Sequence, residues 1–95
     1  MKGFEIMNKQ EILNGIENDD VVVYCESNKD FIDYMTTMKQ IYPQYIVDNI
    51  LYRTNYCYRI DHDDKKMYFA SSFAYRGSYD IVQWKQSKSL VIELE

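Results

Sequence analysis

The residues best able to do chemistry cluster in one stretch, residues 55–68, NYCYRIDHDDKKMY, where the single histidine of the chain, His62, stands among Asp61, Asp63 and Asp64. Imidazole and carboxylates together suggest a metal ligand set or a general base. The spacing opposes both. Metal ligation needs convergent side chains, whereas neighbours in a strand alternate faces and turn residues splay outward. There is no second histidine and no Cys–His spacing for zinc. The glycine and spaced carboxylates of a calcium loop are missing as well. Aspartate is a preferred turn former because its carboxylate bonds the local backbone. The stretch therefore reads as the tip of a β-hairpin with His62 exposed on it, and no metal site is expected.

Nucleophilic catalysis fares no better. Cys25 and Cys57 lie in apolar, strand-like runs without a CxxC pair. They read as buried free thiols of a reducing compartment. Pairing either with His62 would require the turn to fold back over the sheet. No G-x-S-x-G elbow and no glycine-rich phosphate loop occurs, since the three glycines are isolated. The chain reads as non-catalytic, with no cofactor.

A second group is chemically richer. All three arginines, Arg53, Arg59 and Arg76, fall in the second half, interleaved with Tyr52, Tyr56, Tyr58, Tyr75 and Tyr79. Guanidinium forks pair with phosphate or carboxylate, and aromatic faces stack on bases. Arg53, Tyr58, Arg59, Tyr75, Arg76 and Tyr79 are therefore the candidate ligand-binding set, on the expectation that strands 55–61, 67–71 and 79–84 pair with one another. Tyr56, Tyr68 and Trp84 belong to the same group. Three readings stay open: a pocket for a nucleotide-like anion, a protein-binding surface rich in Tyr, Trp and Arg, and an ordinary sheet surface with solvated arginines and half-buried tyrosines.

These side chains need a scaffold. Ninety-five residues with 46% hydrophobic and 27% charged content suggest one globular domain over residues 1–95. The net charge of −4 argues against general binding to duplex nucleic acid, which favours a basic stripe. Ten tyrosines supply contact area at low entropy cost. No apolar run reaches transmembrane length, and MKGFEIMNKQEIL lacks the apolar centre of a signal peptide. Met7 is an alternative start, with MKGFEI upstream of it.

Along the chain, NKQEILNGI (8–16) reads as a short helix ended by Asn14-Gly15, and VVVYC (21–25) as a central strand. Ser27 and Asp30 suggest a capping box. It opens a helix over about 28–42, whose stripe is Phe31, Tyr34, Met35, Met38, Ile41 and Tyr42, with Pro43 as terminator. Residues 44–54 fit a short strand, a crossover or a helical turn. In NYCYRI the period becomes two, with Tyr56, Tyr58 and Ile60 opposite Cys57 and Arg59. KKMYFAS returns across the turn. YDIVQW follows the Arg76-Gly77-Ser78 turn, and SLVIELE adds a possible edge strand. The expected fold is α+β: a four- to five-stranded, mainly antiparallel sheet, the 28–42 helix on one face and a short N-terminal helix.

NKQEILNG, VVVYCESNKDFIDYM, NYCYRI and AYRGSYDIVQW, in this order over about residues 7–86, resemble a broad group of small phage and prophage proteins of low-GC Gram-positive bacteria. The likeness is one of strands and aromatics, not of catalytic residues. Lys85-Gln86 follow Trp84 where the group often has Ser-Asp, and SLVIELE looks like an addition. The resemblance implies a counter-defence protein acting in the cytoplasm of an infected bacterial host by stoichiometric binding. One mode is sequestration of a nucleotide-type immune signal, as a homo-oligomer with pockets between subunits. The alternative is direct inhibition of a host defence protein, in the manner of an anti-CRISPR or a DNA mimic, for which an acidic surface is suited.

Overall fold

The computed structural model describes residues 4–5, 8–46, 50–53 and 55–85. In chain order the elements are β1 (Phe4–Glu5), α1 (Lys9–Glu17), β2 (Val21–Cys25), α2 (Asn28–Ile41), β3 (Tyr56–Asp61), β4 (Lys66–Ser71), α3 (Ser72–Tyr75) and β5 (Asp80–Trp84). The α+β expectation holds.

α1 starts on a reciprocal cap. The Asn8 side chain accepts from the Glu11 N–H at 2.8 Å, and the Glu11 carboxylate accepts from the Asn8 N–H at 3.2 Å. The helix does not stop at Asn14-Gly15. It runs to Glu17 and caps on Asn18. Gly15 has another use: a Cβ there would lie 2.9 Å from both methyls of Val21. The missing side chain lets the helix backbone approach β2, so this glycine marks close packing instead of a helix end.

α2 begins at the expected cap, with Ser27 Oγ accepting from the Asp30 N–H at 3.2 Å, the first of the two bonds of the capping box. Phe31, Tyr34, Met35 and Met38 are buried against the sheet. Ile41, in the expected stripe, is exposed instead, because at about 100° per residue it lies at the margin of the face that Phe31, Met38 and Tyr42 turn to the core. Between α2 and β3, Pro43–Tyr45 form a turn and residues 50–53 have no regular structure. Residues 47–49 and 54 of the ambiguous 44–54 stretch, and the SLVIELE tail, lie outside the described residues.

The sheet order is β1-β5-β2-β3-β4. β5 runs parallel to both β1 and β2, while β2–β3 and β3–β4 are antiparallel. The sheet is thus mixed, and its parallel half arises from one connection. After the β3–β4 hairpin the chain crosses the sheet through α3 and inserts β5 beside β2, pairing Val21 with Asp80 and Cys25 with Trp84. Phe4–Glu5, which carry no strand pattern in the sequence, flank β5.

Alternation divides the side chains between two faces. Val21, Val23, Cys25, Tyr58, Ile60, Met67, Val82 and Trp84 meet α1 and α2 in one cluster. Tyr34 lies against Tyr58 and Trp84, at ring distances of 5.9 and 5.3 Å, and Phe31 is 5.2 Å from Tyr58. The Trp84 indole N–H donates to Asp33 Oδ2 at 2.8 Å, so the largest core side chain keeps its polar edge satisfied. The opposite face is thinner. Val22, Cys57 and Ile81 are covered there by Tyr24, Tyr75 and Tyr79.

Candidate functional site

The thin face is organised around Arg59. Strand alternation turns it away from α2. Its side chain is 17% exposed and meets two carboxylates. One guanidinium nitrogen lies 3.2 Å from each oxygen of Asp19, and the other lies 2.8 Å from Asp61 Oδ2. Tyr68 and Tyr79 present their rings to it at 5.6 and 5.5 Å. Tyr75 stands edge-on to Tyr79 at 5.8 Å. Desolvation opposes the charge on Arg59, but the bonds it donates to Asp61 and Asp19 outweigh it and hold the group above its ordinary range. Asp61 is held below the usual carboxylate range, first by the Asp64 N–H and then by Arg59. Arg59 thereby ties the α1–β2 turn, the hairpin end and the α3–β5 loop together.

Of the six residues expected to form one ligand set, four share this side of the sheet. Arg59, Tyr75 and Tyr79 are in contact, and Arg76 borders them. Tyr58 and Arg53 do not join them. Tyr58 is 1% exposed in the core between α2 and the sheet, and its hydroxyl lies 3.4 Å from both the Leu51 carbonyl and the Arg53 N–H. Arg53 stands over Tyr56 at 5.8 Å. Alternation in β3 is the reason: residues 58 and 59 point to opposite faces. The expected pairing of strand 79–84 with the hairpin also fails, because β5 lies next to β2.

Arg76 differs from Arg59. It is exposed, and its guanidinium lies 5.4 Å over Phe73, which is itself 80% exposed. The turn after it depends on Gly77 at φ +94°, a conformation other residues rarely adopt. An open pocket of about 520 Å³ lies here, lined by Asp20, Arg76, Gly77, Ser78, Tyr79, Asp80 and Ile81. Two carboxylates thus share its wall with one arginine.

His62 sits in the β3–β4 turn, as its neighbours indicated. It is not splayed into solvent, however. The ring folds back, with Nε2 2.9 Å from the Ile16 carbonyl and Nδ1 3.4 Å from the Tyr45 hydroxyl, and it packs against Tyr42 and Tyr45. A histidine donating to a helix-end carbonyl and packed by two tyrosines pins the hairpin to α1. Among the described residues no three His, Cys, Asp or Glu side chains converge as a metal site. Cys25 and Cys57 are free and buried, and strand alternation places them on opposite faces. Burial pushes the Cys57 thiol up to about 12 and raises Cys25 as well, so neither ionises readily.

Topology assembles one feature that no local motif announces. β2, β4 and β5 begin, and α1 and β3 end, at the same end of the sheet. Glu17, Asp19, Asp20, Asp61, Asp63, Asp64 and Asp80 are therefore gathered there. Asp19 and Asp61 pair with Arg59; Glu17, Asp20, Asp63, Asp64 and Asp80 are exposed, with Glu17 accepting from the Tyr42 hydroxyl and Asp64 from the Tyr68 hydroxyl. Lys65 and Lys66 stand at the margin of this acidic end. No described helix is long and apolar enough to cross a membrane.

Compared with known protein families, curated proteins and solved structures, the chain matches none.

Proposed function

We propose that this protein is a non-catalytic inhibitor that acts by direct protein–protein contact, presenting its acidic sheet end to a basic surface of its target. The observation that carries this reading is the convergence of seven carboxylates from five segments on one end of the sheet, five of them exposed. Such an array resembles the charge presented by a nucleic acid backbone, and complementary charge speeds encounter with a basic channel. The sequence resemblance to phage proteins supports a counter-defence setting, with a nuclease of the host's antiviral systems as the target class. The engagement of Arg59 by Asp19 and Asp61 favours this reading over capture of an anion, since the most sheltered arginine already has its counter-ions.

A nucleotide-type ligand has one observation in its favour, the open pocket beside Arg76 and Ser78. Asp20 and Asp80 on the same wall disfavour a phosphate there. One experiment separates the two. The combined variant Glu17→Gln, Asp20→Asn, Asp63→Asn is expected to lose most inhibition of a defence nuclease, and wild-type inhibition should weaken steeply with salt. Arg76→Ala should leave inhibition intact. If Arg76→Ala abolishes activity while the neutralised variant retains it, the pocket is the functional site and the acidic-end reading is wrong.

A further inference from the structure

The two edges of the sheet are very different. β1, at one edge, is described over two residues, Phe4–Glu5. β4, at the other, is six residues long, KMYFAS, with no described neighbour on its outer side. Open edges are normally blunted by proline, bulges or charges along the strand. β4 pairs with β3 in unbroken register, contains no proline, and carries its one charge at its first residue, Lys66. We infer that this edge pairs antiparallel with the same edge of a second copy, centred on Phe69, to make a continuous ten-stranded sheet.

The ladder fixes the register. The Ser72 N–H donates to the Asn55 carbonyl at 2.9 Å. In an antiparallel ladder alternate residues point their backbone groups to the same side. Residues 66, 68 and 70 therefore bond β3, and Met67, Phe69 and Ser71 turn their N–H and C=O groups outward. Two copies can exchange these groups only in odd-with-odd pairs. The same parity keeps the helix-covered faces of both copies on one side of the joined sheet. Among the permitted registers, Phe69 opposite its own copy, flanked by Met67 opposite Ser71, is the one that uses all three outward residues of each strand.

Side chains and charge agree. Phe69 is 45% exposed, although it lies on the same face as Tyr56 and Tyr58, whose rings are 5.8 and 6.4 Å away. Its copy would extend this aromatic row, and paired aromatics stabilise neighbouring strands. Lys66 would face Ser72 and not another lysine. Antiparallel pairing also sends the two acidic ends in opposite directions, whereas parallel pairing would set them side by side. That selects the antiparallel form, and the self-matching register, with Phe69 on Phe69 and Lys66 on Ser72, points to a second copy as occupant. The inference rests on the strand ladder and does not depend on the acidic end being the inhibitory surface.

The test is sedimentation velocity on the full chain at micromolar concentrations, with Phe69→Lys and oxidised cysteine variants alongside. A dimer is expected for the wild type, and a monomer with unchanged circular dichroism for Phe69→Lys. Phe69→Cys should cross-link under mild oxidation, since bonded antiparallel pairs hold their Cα atoms about 5.5 Å apart. Tyr68→Cys, displaced from its copy along the strand, should not. The native thiols are buried and do not interfere. A wild-type monomer throughout, a dimer insensitive to Phe69→Lys, or cross-linking at residue 68 as fast as at 69 would each overturn the inference. Should Phe69→Lys unfold, the cross-linking contrast still decides.

Discussion

The two faces of the sheet are built on different physics. The α1/α2 face is buried and aromatic: Phe31, Tyr34, Tyr58 and Trp84 interlock, and Asp33 satisfies the indole N–H. The α3 face has three fully buried side chains, Val22, Cys57 and Ile81, under a lid of tyrosines held by one arginine between two carboxylates. One face is stabilised by area removed from water, which is large and insensitive to pH. The other depends on ion pairs at partial exposure, whose worth is smaller and conditional on charge. The acidic end proposed as the contact surface lies where the second kind of bonding prevails, with Asp19 and Asp61 on Arg59.

The largest difference should appear on truncating the two faces. Trp84→Ala removes the bulkiest core side chain and leaves Asp33 without its donor. A loss of about 3–5 kcal/mol is expected, a large share of the total for a small domain. Tyr75→Ala, on the thin face, removes a half-buried ring and should cost clearly less. Urea denaturation of both variants gives the comparison. Equal losses would mean that the α3 lid carries as much of the fold as the helical core does.

The same division explains what could be read from the chain. The helical face was legible because periodicity encodes it: the Ser27 cap, the Phe31–Met38 stripe and the alternation of Tyr56, Tyr58 and Ile60 each announce burial on one side. The hairpin tip was legible from its aspartates. The thin face was not, because its bonds cross long sequence distances. Asp19 and Arg59 are 40 residues apart, and nothing local indicates that β5 inserts beside β2. Grouping Tyr58 with Arg59 followed proximity in sequence, and strand alternation separates them. The turn neighbours of His62 indicate an exposed tip, while its position is set by Ile16 and Tyr45. Gly15 looked like a helix stop because its use, contact with Val21, is tertiary.

A smaller effect should follow from Arg59→Met, which keeps much of the stem but removes the guanidinium. Asp19 and Asp61 then lose their partner at a partly exposed site, and a cost of roughly 1–2 kcal/mol is expected. The pH dependence identifies the cause. The carboxylate of Asp61 has a folded-state pKa below its unfolded value, so its contribution is complete above the unfolded value, near about 4, and is lost as pH falls through the folded one. Wild-type stability should therefore decline on acidification, and Arg59→Met should flatten part of that decline without removing it, because the Asp64 N–H also bonds Asp61. An acid limb of unchanged slope in the variant would show that Arg59 acts through packing on Tyr68 and Tyr79 and not through charge.

The smallest effect on stability should come from Phe73→Ser, and it separates folding from recognition most cleanly. Phe73 is the most exposed large apolar side chain among the described residues, and its described ring contact is Arg76, itself exposed. Surface replacements away from packed features usually change stability by about 0.5 kcal/mol or less, so the melting temperature should barely move. A phenylalanine kept in water beneath an arginine contributes little to the isolated fold, yet both residue types suit a contact surface. If the α3 side participates in target binding, Phe73→Ser will weaken inhibition at unchanged stability, and the contact surface extends from the acidic end across α3. If inhibition is unaffected, recognition is confined to the carboxylates, and the α3 lid serves only to cover Val22, Cys57 and Ile81.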